Sequence, residues 1–341
     1  MRGISHRLCS TLAVAAALTL PGAASAQNNK LIVALPTTPP NVVHMPVLIA
    51  KELGLYKKYG VEVSTIQLEG GVYTYRATVA GSADVALAAG AFSIVGRAKG
   101  APTKIILASS PKLEASMVVN KNIKSLEDLK GKRIGIQEPG GFADVLSRGV
   151  LRAAKVDPKD VHFVSIASED VPALVADQVD TAILHVEQEM VARAKVPSLH
   201  AVVRMWEIQP KNLSTVFAVT EKTVAEKRAA LLAFTKANIE AVRLIYTDEA
   251  KVLPAVVKYT EQSKEVAKET LDFMIKNCIW DANSGIGPTR INYTAQLMEK
   301  VGNIPQGKVP KYEDLVDLSF SNEAIKELGE WKGPVCPTSE Q

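Results

Sequence analysis

Apolar positions along the chain follow two rhythms, short runs with a period of about two and longer stretches with a period near 3.6. Lys30-Leu31-Ile32-Val33-Ala34-Leu35 predicts a first strand, which ends in the loop from Pro36 to Asn41. Over 45–59, Leu48, Ile49 and Leu53 share one helical face, and Gly60 ends the pattern. A second strand is expected over 61–66, a helix over 73–80, and strands over 84–88, 105–108 and 115–120. The rhythm then restarts near Ser125, where Ser125-Leu126-Glu127-Asp128 has the form of a capping box. A strand over 131–136 leads to a helix that Gly140-Gly141 opens and that runs to about Lys155. Strands over 161–164 and 181–184 flank a helix over 170–176, and Val216-Phe217-Ala218-Val219 is a last strand. From Ala225 onward the pattern is mostly helical, with helices over 226–247, 249–259 and 264–276.

Strands that alternate with amphipathic helices predict an α/β protein with largely parallel sheets. At 341 residues the chain exceeds the usual size of one hydrophobic core. Two domains are therefore expected. The first is discontinuous, 27–117 and 218–341, and the second, 118–217, is inserted into it. Two crossover strands near Val118 and Val216 would join them and act as a hinge.

The N-terminus changes the picture of where such a protein works. Arg2 and Arg7 precede an apolar stretch from Thr11 to Leu20, then Pro21-Gly22 and the small triplet Ala24-Ser25-Ala26. That order is a secretory signal peptide over 1–26, with cleavage expected after Ala26. The apolar part is too short to span a bilayer. Cys9 precedes it, so a lipid attachment site is not expected either. Export without an anchor points to the periplasm. The formal charge is +4, and losing Arg2 and Arg7 brings it closer to neutral. Basic and acidic residues are interspersed, without the basic stripe that nucleic acid or an acidic membrane would favour. Cys278 and Cys336 remain after cleavage, and in an oxidising compartment a disulfide between them is plausible. They make a poor metal site, and no metal or cofactor is expected.

In open parallel sheets, ligands bind beyond the carboxyl ends of the strands. Four loops qualify: Thr37 to His44, Glu69-Gly70-Gly71-Val72-Tyr73, Ala89-Gly90-Ala91-Phe92 and Glu138-Pro139-Gly140-Gly141-Phe142. Glycine pairs before a helix let an anion reach exposed amides at the positive end of the helix dipole. The plain alternative is that these glycines only make tight turns. His44, beside Asn41, is a candidate contact or a satisfied hydrogen-bonder. His185 and Glu187 are candidates from the second domain or a surface pair. Trp206 could stack on a ring near the hinge, though a packing role suits it better. No nucleophile elbow, His-Glu-x-x-His or P-loop motif occurs.

These loops and four further segments carry a resemblance. Pro40 to Pro46 with Ala50 to Val63, Ala80-Gly81-Ser82-Ala83-Asp84-Val85-Ala86, Leu126 to Ile136, and Val175 to Ala182 together resemble the sulfonate/nitrate/taurine solute-binding family, with its NMT1-like thiamine-pyrimidine relatives. The resemblance implies a type II periplasmic-binding-protein fold that closes like a clamp. Its implied partners are an ABC permease and ATPase, and the binding protein would act as a monomer. Carried over, the cleft contacts fall on Thr38, Asn41, His44, Gly70, Gly71, Gly90, Ala91, Gly140, Gly141 and Phe142. Tyr73, His185 and Glu187 are added from the residues themselves. Family members often have a small hydroxyl residue where Phe142 stands. A bulky aromatic there points to a flatter solute, such as a pyrimidine or an aromatic acid, beside the sulfonates. Two rivals share the fold: a thiamine-pyrimidine synthase-like enzyme and a periplasmic ligand-presenting sensor protein. The enzyme's relatives carry a cysteine-rich cluster that is missing here.

Overall fold

A computed structural model describes residues 29–167 and 170–333. The leader, with its cleavage point after Ala26, lies outside the described residues. Cys278 is disulfide-bonded. Cys336, the partner expected for it, also lies outside the described residues.

The chain builds β1 (Lys30–Leu35), β2 (Glu62–Gln67), β3 (Val85–Ala89) and β4 (Thr103–Ser110), then β5 (Ser116–Val119), β6 (Arg133–Ile136), β7 (His162–Ser165), β8 (Thr181–Leu184), β9 (His200–Arg204) and β10 (Thr215–Thr220). They form two five-stranded sheets, ordered β2-β1-β3-β10-β4 and β7-β6-β8-β5-β9. In the first, β1 is parallel to β2 and β3, while β10 runs antiparallel to β3 and β4. The second repeats the plan: β6 is parallel to β7 and β8, and β5 is antiparallel to β8 and β9. The chain leaves the first sheet after β4 and enters the second at β5, which carries Val118. It returns at β10, which carries Val216. The fold is that of two α/β lobes joined by two crossovers.

Burial explains the strand sequences. Val216, Phe217, Ala218 and Val219 are fully buried because β10 is central and covered on both faces, so it needs no polar alternation. The largest core joins β1 and β3 to the C-terminal helices through Phe217, Phe234, Trp280 and Phe320. Three C-terminal helices start on side-chain caps, and the first begins at Glu221, five residues before the start expected at 226. Thr220 opens Glu221–Thr247, Asp248 opens Glu249–Thr260, and Ser263 opens Lys264–Lys276, each accepting a first-turn amide. No helix among the described residues is long and apolar enough to cross a membrane.

Two local expectations change. The helix read over 45–59 is two helices, Met45–Glu52 and Leu55–Lys58, because Gly54 adopts a left-handed conformation at φ 70° and breaks the turn. The helix Val186–Lys195 and the strand β9 were not read from the sequence. That helix, VEQEMVARAK, has too few apolar positions to mark a stripe. It packs Val186 and Met190 against the first lobe's core, and its neighbour there is the helix Lys264–Lys276.

Candidate functional site

The loops at the carboxyl ends of both sheets converge on one cavity of about 300 Å³. The first lobe contributes Pro36 to Asn41 after β1, His44, Gly70 and Gly71 after β2, and Ala88, Ala89 and Phe92 around the end of β3. The second lobe contributes Gln137, Glu138 and Phe142 after β6, Asp170 at the start of a helix, and His185, Glu187, Gln188, Val191 and Lys195 after β8.

Carboxylates dominate the polar wall. Glu187, from the second lobe, accepts from the Asn41 side-chain amide at 3.0 Å and the Val42 N–H at 3.1 Å with the same oxygen, Oε1. Burial pushes its carboxyl up, against the pull of His185. Asp170 accepts from Gln137 Nε2 at 2.7 Å and 2.9 Å, and burial raises its carboxyl to about 6. Glu138 lies against the Val72 amide of the first lobe, and burial again raises its pKa.

The two histidines are tuned in opposite directions. Burial, then the nearby His185 charge, lowers His44 to about 3, so it is neutral at pH 7. Burial would also lower His185, but the Glu114 carboxylate, with Glu187 and Asp170 adding to it, outweighs burial and raises the imidazole to about 9. Glu114 sits in the crossover before β5 and is 1% exposed. One of its oxygens pairs with His185 Nδ1, and the other accepts the Val186 N–H at 3.2 Å. The His185 imidazolium stacks on Phe142 at 5.3 Å with the rings nearly parallel, and it meets His44 edge-on at 6.2 Å.

Four buried polar atoms of this wall have no hydrogen-bond partner: Asn41 Oδ1, His44 Nδ1, Glu138 Oε1 and Glu187 Oε2. Asn41 Oδ1 accepts, and so do the two carboxyl oxygens when ionised. Buried acceptors left unpaired cost free energy, and these four lie in residues that line the cavity.

Of the residues singled out in the sequence, the structure brings Thr38, Asn41, His44, Gly70, Gly71, Phe142, His185 and Glu187 to the cavity. It does not bring Tyr73, Gly90, Ala91, Gly140 or Gly141 there. Tyr73 faces solvent, 47% exposed. Gly90 is closed off by Leu213, whose Cδ2 would lie 2.5 Å from a Cβ at this position, and Ala91 packs into a core with Ile94 and Leu213. The Gly140 N–H donates to Asp144 Oδ2 at 2.7 Å and the Gly141 N–H to the Glu138 carbonyl at 3.0 Å. The amides expected to meet an anion there are already engaged. Trp206 packs on Phe273 with Arg204 over its ring, away from the cavity.

Sequence reasoning named the loops that hold Glu138 and Phe92 without choosing these residues as contacts, and it did not name Asp170 or Lys195, though each lies near the carboxyl end of a strand or in a helix that follows one. Glu114 had no such signal. It acts from the crossover, through His185.

Two α/β lobes with a polar cavity between their strand ends define the periplasmic-binding-protein fold. Residues 41–251 match the family described as NMT1/THI5 like, and the chain belongs to that family. Its relatives include a Haemophilus influenzae protein named for thiamine biosynthesis, 24% identical over 78% of this chain and 85% of that one. A 4-amino-5-hydroxymethyl-2-methylpyrimidine phosphate synthase of Legionella pneumophila is 26% identical over 42% of this chain and 45% of its own. Among solved structures, a protein of Bordetella bronchiseptica RB50 superposes with a TM-score of 0.78 at 20% identity, covering 89% of this chain and 98% of its own. The periplasmic nitrate-binding protein NrtA of Synechocystis PCC 6803 superposes with a TM-score of 0.73 at 14% identity, covering 91% and 92%.

Proposed function

We propose that this chain is the periplasmic solute-binding component of an ABC importer, and that its two lobes close on a small flat heterocycle bearing hydrogen-bond donors, of the aminopyrimidine kind. The observation that carries this reading is the acidic lining of the cavity, Glu138, Asp170 and Glu187, with the Asn41, Glu138 and Glu187 oxygens buried beside it without a partner. A sulfonate or nitrate brings only acceptors and negative charge. It would leave those atoms unpaired and would face Glu138, Asp170 and Glu187 at close range. A protonatable amino-heterocycle satisfies them, and the flat stack of His185 on Phe142 suits a planar solute. The leader-like N-terminus supports export, and the fold shared with the ligand-binding component of an ABC-type import system from Staphylococcus aureus supports delivery to a permease and ATPase.

A thermal-shift series tests the solute class. At saturation, 4-aminopyrimidine is expected to raise the melting temperature, since a ligand at a hundred times its Kd adds about 2.7 kcal/mol. Methanesulfonate, nitrate and benzoate are expected to leave it unchanged. A shift with methanesulfonate alone would reverse the assignment.

The synthase-like relatives favour a second reading, an enzyme acting on a pyrimidine precursor. Binding without turnover is expected instead. Mass spectrometry of 4-aminopyrimidine after prolonged incubation with the protein should recover it unchanged, and a new product would support the enzyme.

A further inference from the structure

Both glycine pairs of the cleft converge on one side chain. Gly70 stands at φ 128° before the helix Gly71–Val79, and a Cβ there would lie 2.6 Å and 2.9 Å from the two carboxylate oxygens of Glu138. Gly141, on the second lobe, would place a Cβ 2.6 Å from Glu138 Cδ. Glycine at each position makes room for this carboxylate. Glu138 reaches from the end of β6 in one lobe to the Val72 amide in the first turn of a helix in the other. The N-terminal end of a helix, with its unpaired amides and positive dipole, is where an oxyanion would otherwise bind. Glu138 itself is 8% exposed, and its Oε1 is buried without a partner.

We propose that Glu138 is a specificity-determining residue: its carboxylate occupies the N-terminal end of the helix Gly71–Val79 and excludes small oxyanions, and its removal uncovers a binding site for them. The inference rests on the reading of this cavity as the solute site. Occupation and charge act together. An incoming sulfonate must displace Glu138 from the Val72 amide and then sit beside it and Asp170, which is also on the wall. The amides of the helix end are thus reserved for the protein's own acid.

Calorimetric titration with sodium methanesulfonate tests this on the mature chain. Wild type should give no measurable binding. Glu138→Ala and Glu138→Ser should each bind, at least about tenfold more tightly than the wild-type detection limit. Adding Val72→Pro to Glu138→Ala should abolish the gain, because proline is tolerated in the first turn but has no amide to offer. The proposal is overturned if both folded single variants ignore methanesulfonate, if wild type binds it equally well, or if the gain survives Val72→Pro. Titrating 4-aminopyrimidine into wild type in parallel separates the two levels. Binding of that probe with no gain in either variant removes only the exclusion. No binding of either probe to any of the proteins removes the reading of the cavity, and the exclusion with it.

Discussion

Glu114→Gln is expected to cost about 3 kcal/mol at pH 7, on the scale of breaking a buried ion pair, and to remove an alkaline transition from the protein's stability. Glu114 spends both oxygens on one partner element, the His185 ring and the Val186 amide, and its side chain is 1% exposed. The His185 side chain is 14% exposed, so solvent screens the pair little. The imidazole rises from 6.5 to about 9. A base whose folded pKa is raised contributes stability that is complete below its unfolded value, here pH 6.5, and is lost as pH rises through 9. At 1.36 kcal/mol per unit the shift amounts to roughly 3 kcal/mol. Glutamine keeps the shape and an acceptor for Val186, but not the charge. His185 then sheds its proton, which caps the loss. Thermal melts across pH 6–10 should place the variant roughly 5 °C below wild type near neutrality. The gap should close above pH 9. Curves that stay parallel at every pH would show that the pair contributes shape alone.

Much of the frame was legible in the sequence because burial and capping are local. β10 reads as a strand from four consecutive apolar residues, and the helices over 249–259 and 264–276 were read to within a residue of their observed bounds. Asn41, His44, His185 and Glu187 were reachable by one rule, that ligands lie beyond strand ends. That rule finds loops and not directions. It could not say that Gly140 would turn its amide to Asp144, nor that Tyr73 would face solvent while Gly71 faced Phe92. Glycine pairs look the same in sequence whether they admit a solute or a neighbouring side chain. Here they admit Glu138, whose reach across the cleft is a tertiary fact. The sign of the cleft's charge was hidden for the same reason, since Glu138, Asp170 and Glu187 come from separate loops of the second lobe and become one acidic wall only when its strands pair side by side.

Glu187→Ala should weaken capture of 4-aminopyrimidine by at least about a hundredfold and leave the lobes open, and two effects combine to produce it. Oε1 ties the helix Val186–Lys195 of one lobe to Asn41 and Val42 of the other, and Oε2 is buried beside the cavity without a partner. Hydrogen bonds to a charged group contribute about 1.5–3 kcal/mol each, so losing two shifts the closed form by roughly 3–6 kcal/mol. Apparent affinity falls in proportion to the closed population. Glu187→Gln separates the effects. Its amide oxygen can still accept from Asn41 and Val42, while its NH2 presents a donor to the solute in place of Oε2. Small-angle scattering should therefore show an expanded radius for Glu187→Ala and a wild-type radius for Glu187→Gln, with both binding poorly by calorimetry. An unchanged radius in Glu187→Ala would assign closure to the Val186 and Met190 packing on the first lobe instead, and would leave Glu187 as a solute contact only.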